Sequence, residues 1–535
     1  MPNESPVTNR RSITLALLAC ALLLCLPAAP ARAAAKATHV VLLVWDGLRP
    51  DTITEKDTPT LYKLRQEGTF FENHHAAYPS STEVNGTALA TGTYPRRNGI
   101  MANREYRPDI ELLQPIATED EFPIWKADKL TGGLYVQMPT VAEVLRRNNR
   151  TTVVAGTKPV ALLWDRLERD GLAPADAGRN VVLHEGQARP SNLLDATRAQ
   201  DGPLPTLADP KKSPNRSQDA WTTRTVTQRL WAKGLPAFTL LWLSEPDYAQ
   251  HGVGVGSPVA RAALKSSDDN LATVLATLEK MNVRDKTDVI VVADHGFSTI
   301  AYTIELADEL KKAGIKASTS FGAAPAPGDV LVVSLGGSAS LYVAGHDKTV
   351  IKKCVEAMQA SDYAGVIFTR GEPLPGTFTL DQVGIDTKDA PDVVVAMRWW
   401  DGRSATGSPG LMISEGAKRG RGQGTHVTLS PYDMRPTLVA SGPDFRKAFV
   451  NKLPSGNVDL APTLLWIFGI TPDPAPDGRV LAEALLDAPT LTFQPETTTL
   501  EPKLKSPTWR QYLKVTKLGP HTYYDEGNGA PVLPE

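Results

Sequence analysis

The sequence predicts an α/β fold: a mostly parallel central sheet with helices on both faces and a small inserted cap. Three observations predict it. Wholly apolar, β-branched runs recur along the chain: HVVLLVW (39–45), TTVVAG (151–156), AFTLLWL (237–243) and DVIVVA (288–293). Strands buried on both faces read this way, whereas strands of a half-solvated sheet alternate. Amphipathic helical windows separate the runs, as parallel crossovers require. The composition, 41% hydrophobic and 22% charged over 535 residues, suits a chain with a large core.

Taken in order, the first 35 residues stand apart. Arg10 and Arg11 precede an apolar run (13–29) and an Ala31-x-Ala33 pattern, which read as a secretory signal over residues 1–33. The run is short for a membrane span. A periplasmic or secreted bacterial protein with no stable span after cleavage is therefore expected, with a retained N-terminal anchor as the alternative. Cleavage takes the net charge from −2 to −4 by removing three arginines and one glutamate, and nothing suggests a surface for a nucleic-acid duplex. It also removes Cys20 and Cys25, so Cys354 has no internal disulfide partner and reads as a small buried hydrophobe. After HVVLLVW come helical TPTLYKLRQEG (58–68), extended TFFENHHAAY, and TEVNGTALATG (82–92), a short helix stopped at Gly92. MPTVAEVLRRNN (138–149) and DAWTTRTVTQRLWAKG (219–234) read as helices leading into strands, and a longer helix fills about 257–282. Pro- and Gly-rich stretches at 107–137, 171–216 and 318–338 break this rhythm. The expected organisation is one domain over 36–484, with cap-like insertions at about 104–137 and 318–410, then a Pro/Thr-rich extension over 485–535.

Three strands end alike. HVVLLVW runs into Asp46, FTLLWLSEP into Asp247 with His251 four residues on, and DVIVVA into Asp294 and His295. Ligands of open α/β sheets bind at the carboxyl ends of strands, so three such ends form a constellation where one would be noise. Asp247 and His251 share a face of one helical turn. Gly296 permits a sharp bend after His295. His426, between glycines in GQGTHVTLSPYD, can reach the site from a loop. Mixed carboxylate and imidazole donors suit Zn²⁺, with Mn²⁺ or another divalent ion as alternatives. A lone Asp after a strand is more often a turn or cap former, and a lone His a hydrogen-bonded structural residue. His39, His74, His75, His184, His346 and His521 take that plain reading, and Asp268 and Asp269 read as a solvated helix face. In YPSSTEVNGTALATG, a hydroxyl at the helix N-terminus stands where backbone N–H groups favour an anion. Ser81 or Thr82 could equally be the helix cap.

VWDGLRPD, YPSSTEVNGTALATGTYPRRNGIMAN, SEPDYAQHGVG, VVADHGFS, GQGTHVTLSPYDMRPTLVASGPDF and NVDLAPTLLWIFGI resemble, in this order, motifs of the alkaline phosphatase superfamily. More narrowly they are similar to the type I phosphodiesterase/nucleotide pyrophosphatase family. The resemblance spans roughly residues 39 to 470. It implies an alkaline-phosphatase-like fold and two zinc ions, one held by Asp46, Thr82, Asp294 and His295, the other by Asp247, His251 and His426. It further implies Thr82 as nucleophile, a covalent phosphothreonine, and Asn103 as hydrogen-bond donor to a phosphoryl oxygen.

The chain also departs from that pattern. Glu83-Val84-Asn85 follows the nucleophile where relatives have Phe-Pro-Asn. Lys158 resembles the first of two basic residues that contact phosphate in phosphonoacetate hydrolases and some periplasmic Thr phosphatases, but the second position is Val160. Lys158 and the aromatic Tyr106 are the candidate substrate contacts, and Trp125 is a second aromatic able to stack on a base. The expected partner is a small phosphorylated substrate, a nucleotide among the candidates. Nothing in the sequence sets an oligomeric state. Cleavage of phosphate diesters or nucleotide pyrophosphates is the first reading; a phosphomonoesterase or phosphonate hydrolase using the same site is the second. A metal-stabilised binding protein without catalysis is the third, disfavoured because every ligand position and Thr82 are filled. No sulfatase-type Cys/Ser-x-Pro-x-Arg motif occurs.

Overall fold

The computed structural model describes residues 36–119, 121–166, 180–184, 187–190, 192–489 and 492–532. The signal-like residues 1–33, part of the 171–216 stretch and the Trp125 side chain lie outside what is described.

Nine strands form the central sheet: β1 (His39–Trp45), β2 (Thr69–Phe71), β3 (Thr152–Gly156), β4 (Asn180–His184), β5 (Gln187–Arg189), β6 (Phe238–Leu243), β7 (Thr287–Val292), β8 (Leu438–Ser441) and β9 (Phe449–Asn451), in the order β9-β2-β8-β7-β1-β6-β3-β4-β5. The centre, β7-β1-β6-β3-β4, is all parallel. Strands β8 and β5 run antiparallel to their neighbours. The expected parallel sheet is thus the middle of a mixed one.

The apolar run of β1 serves two cores at once. Val40, Leu42 and Val44 enter one, with the helices α2 (Thr82–Thr91), α3 (Val141–Arg147) and α7 (Leu460–Ile467). Val41, Leu43 and Trp45 enter the other, with α1 (Pro59–Glu67), α4 (Arg216–Thr225) and α6 (Pro258–Lys280). Alternate side chains point to opposite faces, and here both faces are covered, so the run shows no polar alternation. Helix α3 starts on a full capping box between Thr140 and Glu143.

Asp268 corrects one expectation. It is buried, and its carboxylate accepts from the N–H groups of Thr60 (3.0 Å) and Leu61 (2.8 Å), so it caps α1 from another helix. Its neighbour Asp269 faces solvent and pairs with Lys265.

Two larger differences concern the irregular stretches. Residues 318–410 contribute most of a six-stranded sheet, ordered Ala317–Ser318, Val330–Ser334, Ser338–Val343, Val393–Met397, Ala364–Thr369, Phe378–Thr379, with its own core. The tail forms a three-stranded antiparallel sheet of Pro495–Leu500, Trp509–Leu518 and His521–Pro531. The 104–137 stretch holds a two-stranded ribbon and a helix at Glu121–Leu130.

Candidate metal centre and nucleophile

Register places the site. Val44 of β1 lies opposite both Val292 of β7 and Trp242 of β6, so the three strands end level and Asp46, Asp247 and Asp294 emerge together. Asp247 opens α5 (Asp247–Val253), which carries His251 one turn later. After His295 the chain enters the strand Ser298–Ile304, whose Ser298 pairs with Thr425. That pairing delivers His426 beside His295, and the two rings stack with centroids 3.6 Å apart. Gly296 is required here by space: a Cβ on it would lie 1.9 Å from the Tyr432 carbonyl oxygen.

Two triads result, Asp46–Asp294–His295 and Asp247–His251–His426, each able to offer three donor atoms within 4.8 Å of one another. His295 Nε2 stands 3.5 Å from Asp46 Oδ1 and 3.2 Å from Asp294 Oδ2. Asp247 Oδ1 stands 3.2 Å from His251 Nε2 and 3.7 Å from His426 Nε2.

The outer atoms of all six residues are held by the scaffold. Each histidine sets its Nδ1 against a backbone carbonyl: His251 on Gly424 (2.9 Å), His295 on Gly296 (2.9 Å), His426 on Ser80 (2.7 Å). An Nδ1–H donated outward leaves Nε2 as an inward lone pair. Asp46 Oδ2 accepts from Trp242 Nε1 (2.9 Å), Asp294 Oδ1 from the Gly47 N–H (3.1 Å), and Asp247 Oδ2 from Lys158 Nζ (3.0 Å). The inner oxygens, Asp46 Oδ1, Asp247 Oδ1 and Asp294 Oδ2, are buried without a hydrogen-bond partner. Buried carboxylate oxygens left unpaired are costly. A divalent cation in each triad would satisfy them, and the donor set fits Zn²⁺ or a similar ion.

The electrostatics agree with a ligand role. Burial lowers the proton affinity of His251, with Arg419 adding to it, and lowers that of His426 further, with His295 and His251 adding to it. Neutral imidazoles are the metal-binding form. Burial beside Asp294 pushes the Asp46 carboxyl well above its usual range. Asp247 goes the other way: burial opposes its ionisation, but His251 and Lys158 outweigh it. The two carboxyls differ because Asp294 adds to burial in raising Asp46, whereas His251, Lys158 and His426 act together on Asp247.

Thr82 is the first residue of α2, and its Oγ1 lies 3.2 Å from His295 Nε2, at the mouth of the first triad. Neither Ser81 nor Thr82 makes a side-chain cap, and Ser81 Oγ has no partner. Asn103 Oδ1 accepts the Glu83 N–H (3.1 Å), and Asn103 Nδ2 donates to Glu119 Oε1 (2.9 Å), which fixes the amide beside the helix start. Glu83 is 1% exposed with Oε2 unpartnered, and burial, then Glu119, hold its carboxyl well above the usual range. Lys158 reaches the site, 2.9 Å from Asp46 Oδ2 and 3.0 Å from Asp247 Oδ2. Val160 is buried, and its Cγ2 would lie 2.3 Å from a Cβ on Gly86, so this side chain packs directly against α2.

Tyr106 is not brought to the triads. Its ring packs edge-on against Phe321 (5.8 Å) and Tyr342 (5.4 Å), and its hydroxyl donates to the Leu112 carbonyl. Sequence reasoning missed Trp242, Glu119 and Asn457, whose Nδ2 donates to the Asp294 carbonyl (2.6 Å). Each acts across a long sequence separation, and none sits in a spacing that signals its partner.

Comparison with known proteins places the chain in a family. A family model described as type I phosphodiesterase/nucleotide pyrophosphatase matches residues 40–411. Bis(5'-adenosyl)-triphosphatase enpp4 of Xenopus laevis is 23% identical over 439 residues, 81% of this chain and 78% of the relative. A venom phosphodiesterase of Naja atra is 25% identical over 272 residues, 49% of this chain and only 26% of that longer protein. Murine ectonucleotide pyrophosphatase/phosphodiesterase 5 superposes with a TM-score of 0.57 at 16% identity, covering 84% of this chain and 100% of that one. Its inactive form, in complex with AMP, superposes with a TM-score of 0.56 at 16% identity over 82% of this chain and 96% of that one. At such identities the structures speak to the fold, which is alkaline-phosphatase-like. The family match covers well over half of the chain, and the chain belongs to the type I phosphodiesterase/nucleotide pyrophosphatase family of phosphoric ester hydrolases.

Proposed function

We propose that the chain is an exported, two-metal hydrolase of phosphate diesters or nucleotide pyrophosphates, acting through a phosphothreonine at Thr82, with residues 1–33 as its export signal. The observation that carries this reading is the division of labour among six ligand residues: every outer atom is fixed by the scaffold and the inner carboxylate oxygens are unpartnered, with Thr82 Oγ1 beside them. Asp46, Thr82, Asp294 and His295 would hold one ion, and Asp247, His251 and His426 the other. Such ions, zinc first among the candidates, supply Lewis acidity at the attacking and leaving oxygens.

The chain's own groups do the rest. Thr82 Oγ1 forms a bond to phosphorus as the bond to the leaving oxygen breaks, and water later cleaves the phosphothreonine. The N-terminus of α2 and the Asn103 amide offer hydrogen bonds to the phosphoryl oxygens. Val160 stands where a second basic residue could meet the extra charge of a monoester, and the absence of that cation favours the single charge of a diester. The names of the relatives, a bis(5'-adenosyl)-triphosphatase and a structure with AMP, support a nucleotide moiety in the substrate.

A second reading rests on Lys158, whose ammonium stands within 3.0 Å of a carboxylate from each triad, where it could serve a monoester dianion. Comparing kcat/KM for p-nitrophenyl phosphate, bis-p-nitrophenyl phosphate and thymidine p-nitrophenyl phosphate separates the two. At least a tenfold preference for a diester is expected on the order-of-magnitude scale of one lost charge contact; a monoester preference overturns the first reading. Thr82→Ala should lower kcat by about 10³-fold or more while metal content, read by elemental analysis, stays at the parent's level. Retention of most activity would remove Thr82 as nucleophile.

A further inference from the structure

We propose that Lys158 is a positioning residue, a cationic brace that ties the two triads into one unit through the carboxylate oxygens that face away from the histidines. The inward oxygens, Asp46 Oδ1 and Asp247 Oδ1, are the unpartnered ones. Lys158 Nζ holds the other two, at 2.9 Å from Asp46 Oδ2 and 3.0 Å from Asp247 Oδ2, so it bridges the triads without using a donor atom of either. Among the described residues no other contact between the six ligand residues and the scaffold spans both triads with a full charge: Trp242 serves Asp46 alone and the Gly47 N–H serves Asp294 alone.

The backbone fixes where this ammonium can go. Lys158 directly precedes a single 3₁₀ turn, Pro159–Leu163, whose Val160, Ala161, Leu162 and Leu163 are all buried. Proline at the first position holds Lys158 in extended backbone (φ −111°, ψ 148°), and the four apolar anchors after it fix where the lysine stem starts. The stem is long enough to be mobile elsewhere, yet the side chain is only 21% exposed.

Charge explains why a cation is needed there. Asp46, Asp247 and Asp294 are buried at adjacent strand ends, and Glu83 is buried beside them. Like charges at such separations in a poorly hydrated site repel strongly, and one shared cation relieves several pairs at once. An ammonium suits this better than a planar guanidinium, because its three tetrahedral donors can reach two carboxylates from one point and leave a third N–H free. That third donor is the one a phosphoryl oxygen could accept from, so bracing the site and meeting substrate are compatible.

The part of the proposal that concerns metal rests on the two-metal reading above, and the test keeps the two apart. Lys158→Met keeps the stem and removes the charge. In chelator-treated protein it should lower Tm by about 5 °C or more, as expected when a buried carboxylate pair loses its counter-charge. Its Zn²⁺ dissociation constant, measured by competition with a chelator, should fall at least tenfold, because a fixed positive charge that repels the metal from the neighbouring inward oxygens has gone. Lys158→Arg should bring both values back towards the parent's, and Lys158→Gln gives the same readings should the methionine variant fail to fold. A stripped-protein Tm and a Zn²⁺ affinity that both stay at the parent's values, with only inhibition by inorganic phosphate weakened, would overturn the brace and leave Lys158 as a substrate contact alone. Weaker Zn²⁺ binding would overturn it as well. A parent protein that binds no divalent metal would sink the two-metal reading instead, while the Tm of the chelator-treated variants would still decide the brace.

Discussion

At the scale of single residues, the candidate site was largely legible because its ligands sit where apolar strands stop. Asp46, Asp247 and Asp294 each follow a buried run, and the position of such a residue at the sheet edge is set by topology rather than by contacts that need a structure. What the sequence could not carry was the support behind them. Trp242 looks like one more core aromatic, and nothing in LLWLSEPD says that its indole N–H reaches Asp46. The plain reading of His74 holds, yet it hides a link to the site. His74 Nε2–H donates to Asn457 Oδ1 (2.9 Å), Ser455 Oγ donates to Nδ1 (2.9 Å), and Asn457 in turn donates to Asn85 and to the Asp294 carbonyl. Burial drives the His74 pKa down from 6.5 to about 3. A base whose folded pKa is depressed stabilises the fold above its unfolded pKa, and that stability is lost as pH falls from 6.5 towards 3. The loss is at most about 5 kcal/mol and smaller wherever the buried site relaxes. His74→Gln can keep an acceptor and a donor without titrating, so its Tm should fall less steeply than the parent's between pH 6.5 and 4. Parallel Tm curves for the two proteins over that window would refute the role given to His74.

At the scale of the element, α2 shows why a helix can be legible while its placement is not. TEVNGTALAT has helix formers, a Gly92 in the left-handed region (φ 71°) to end it, and no charge beyond Glu83, and it forms where expected. All ten of its residues are buried, which sequence periodicity could not foretell because the helix has no polar face to define an orientation. Its position instead depends on one close approach. A Cβ on Gly86 would lie 2.3 Å from Val160 Cγ2 and 3.1 Å from Trp242 Cη2. The same Val160 stands where a second phosphate-binding residue would be, so packing of α2 and loss of that basic residue are one fact. Gly86→Ala must force α2 and the Pro159–Leu163 turn apart, which shifts Thr82 with the helix. Overpacking of this kind costs about 1–3 kcal/mol, and a displaced nucleophile can cost about 10²-fold in rate. Adding Val160→Ala should return much of both losses, since the two sites are in contact and couple. Equal losses in the single and double variants, read by Tm and kcat, would mean that the close approach does not set the helix position.

At the scale of the whole molecule, the tail is where sequence and structure part most. Its Pro/Thr-rich residues read as an extension because Thr-rich strands lack the continuous apolar run that marks the central sheet. In the structure the strand Trp509–Leu518 largely alternates buried and open side chains, whereas His521–Pro531 buries the block Tyr523–Asp525 and Gly527, and these buried residues close the domain. Trp509, Leu513, Val515, Leu518 and Tyr523 are all at or below 2% exposure. The polar contacts run the same way. Asp525 Oδ1 meets His75 Nε2 (3.1 Å), Tyr523 donates to Asp459 Oδ2 (2.8 Å), and Trp399 Nε1 donates to the Gly527 carbonyl (2.7 Å). His75 lies in the short strand His74–His75, seven residues before Thr82, so the tail clamps the segment that leads into the helix carrying Thr82. Burying an apolar side chain contributes about 1.5–3 kcal/mol, so five of them approach the 5–15 kcal/mol that holds a typical domain together. A chain cut before Pro495 should therefore lose its cooperative melting transition and its hydrolase activity together, even though every candidate ligand and Thr82 remain. A soluble truncated protein with parental Tm and activity would show the tail to be an appendage, and would return it to the reading that its composition suggests.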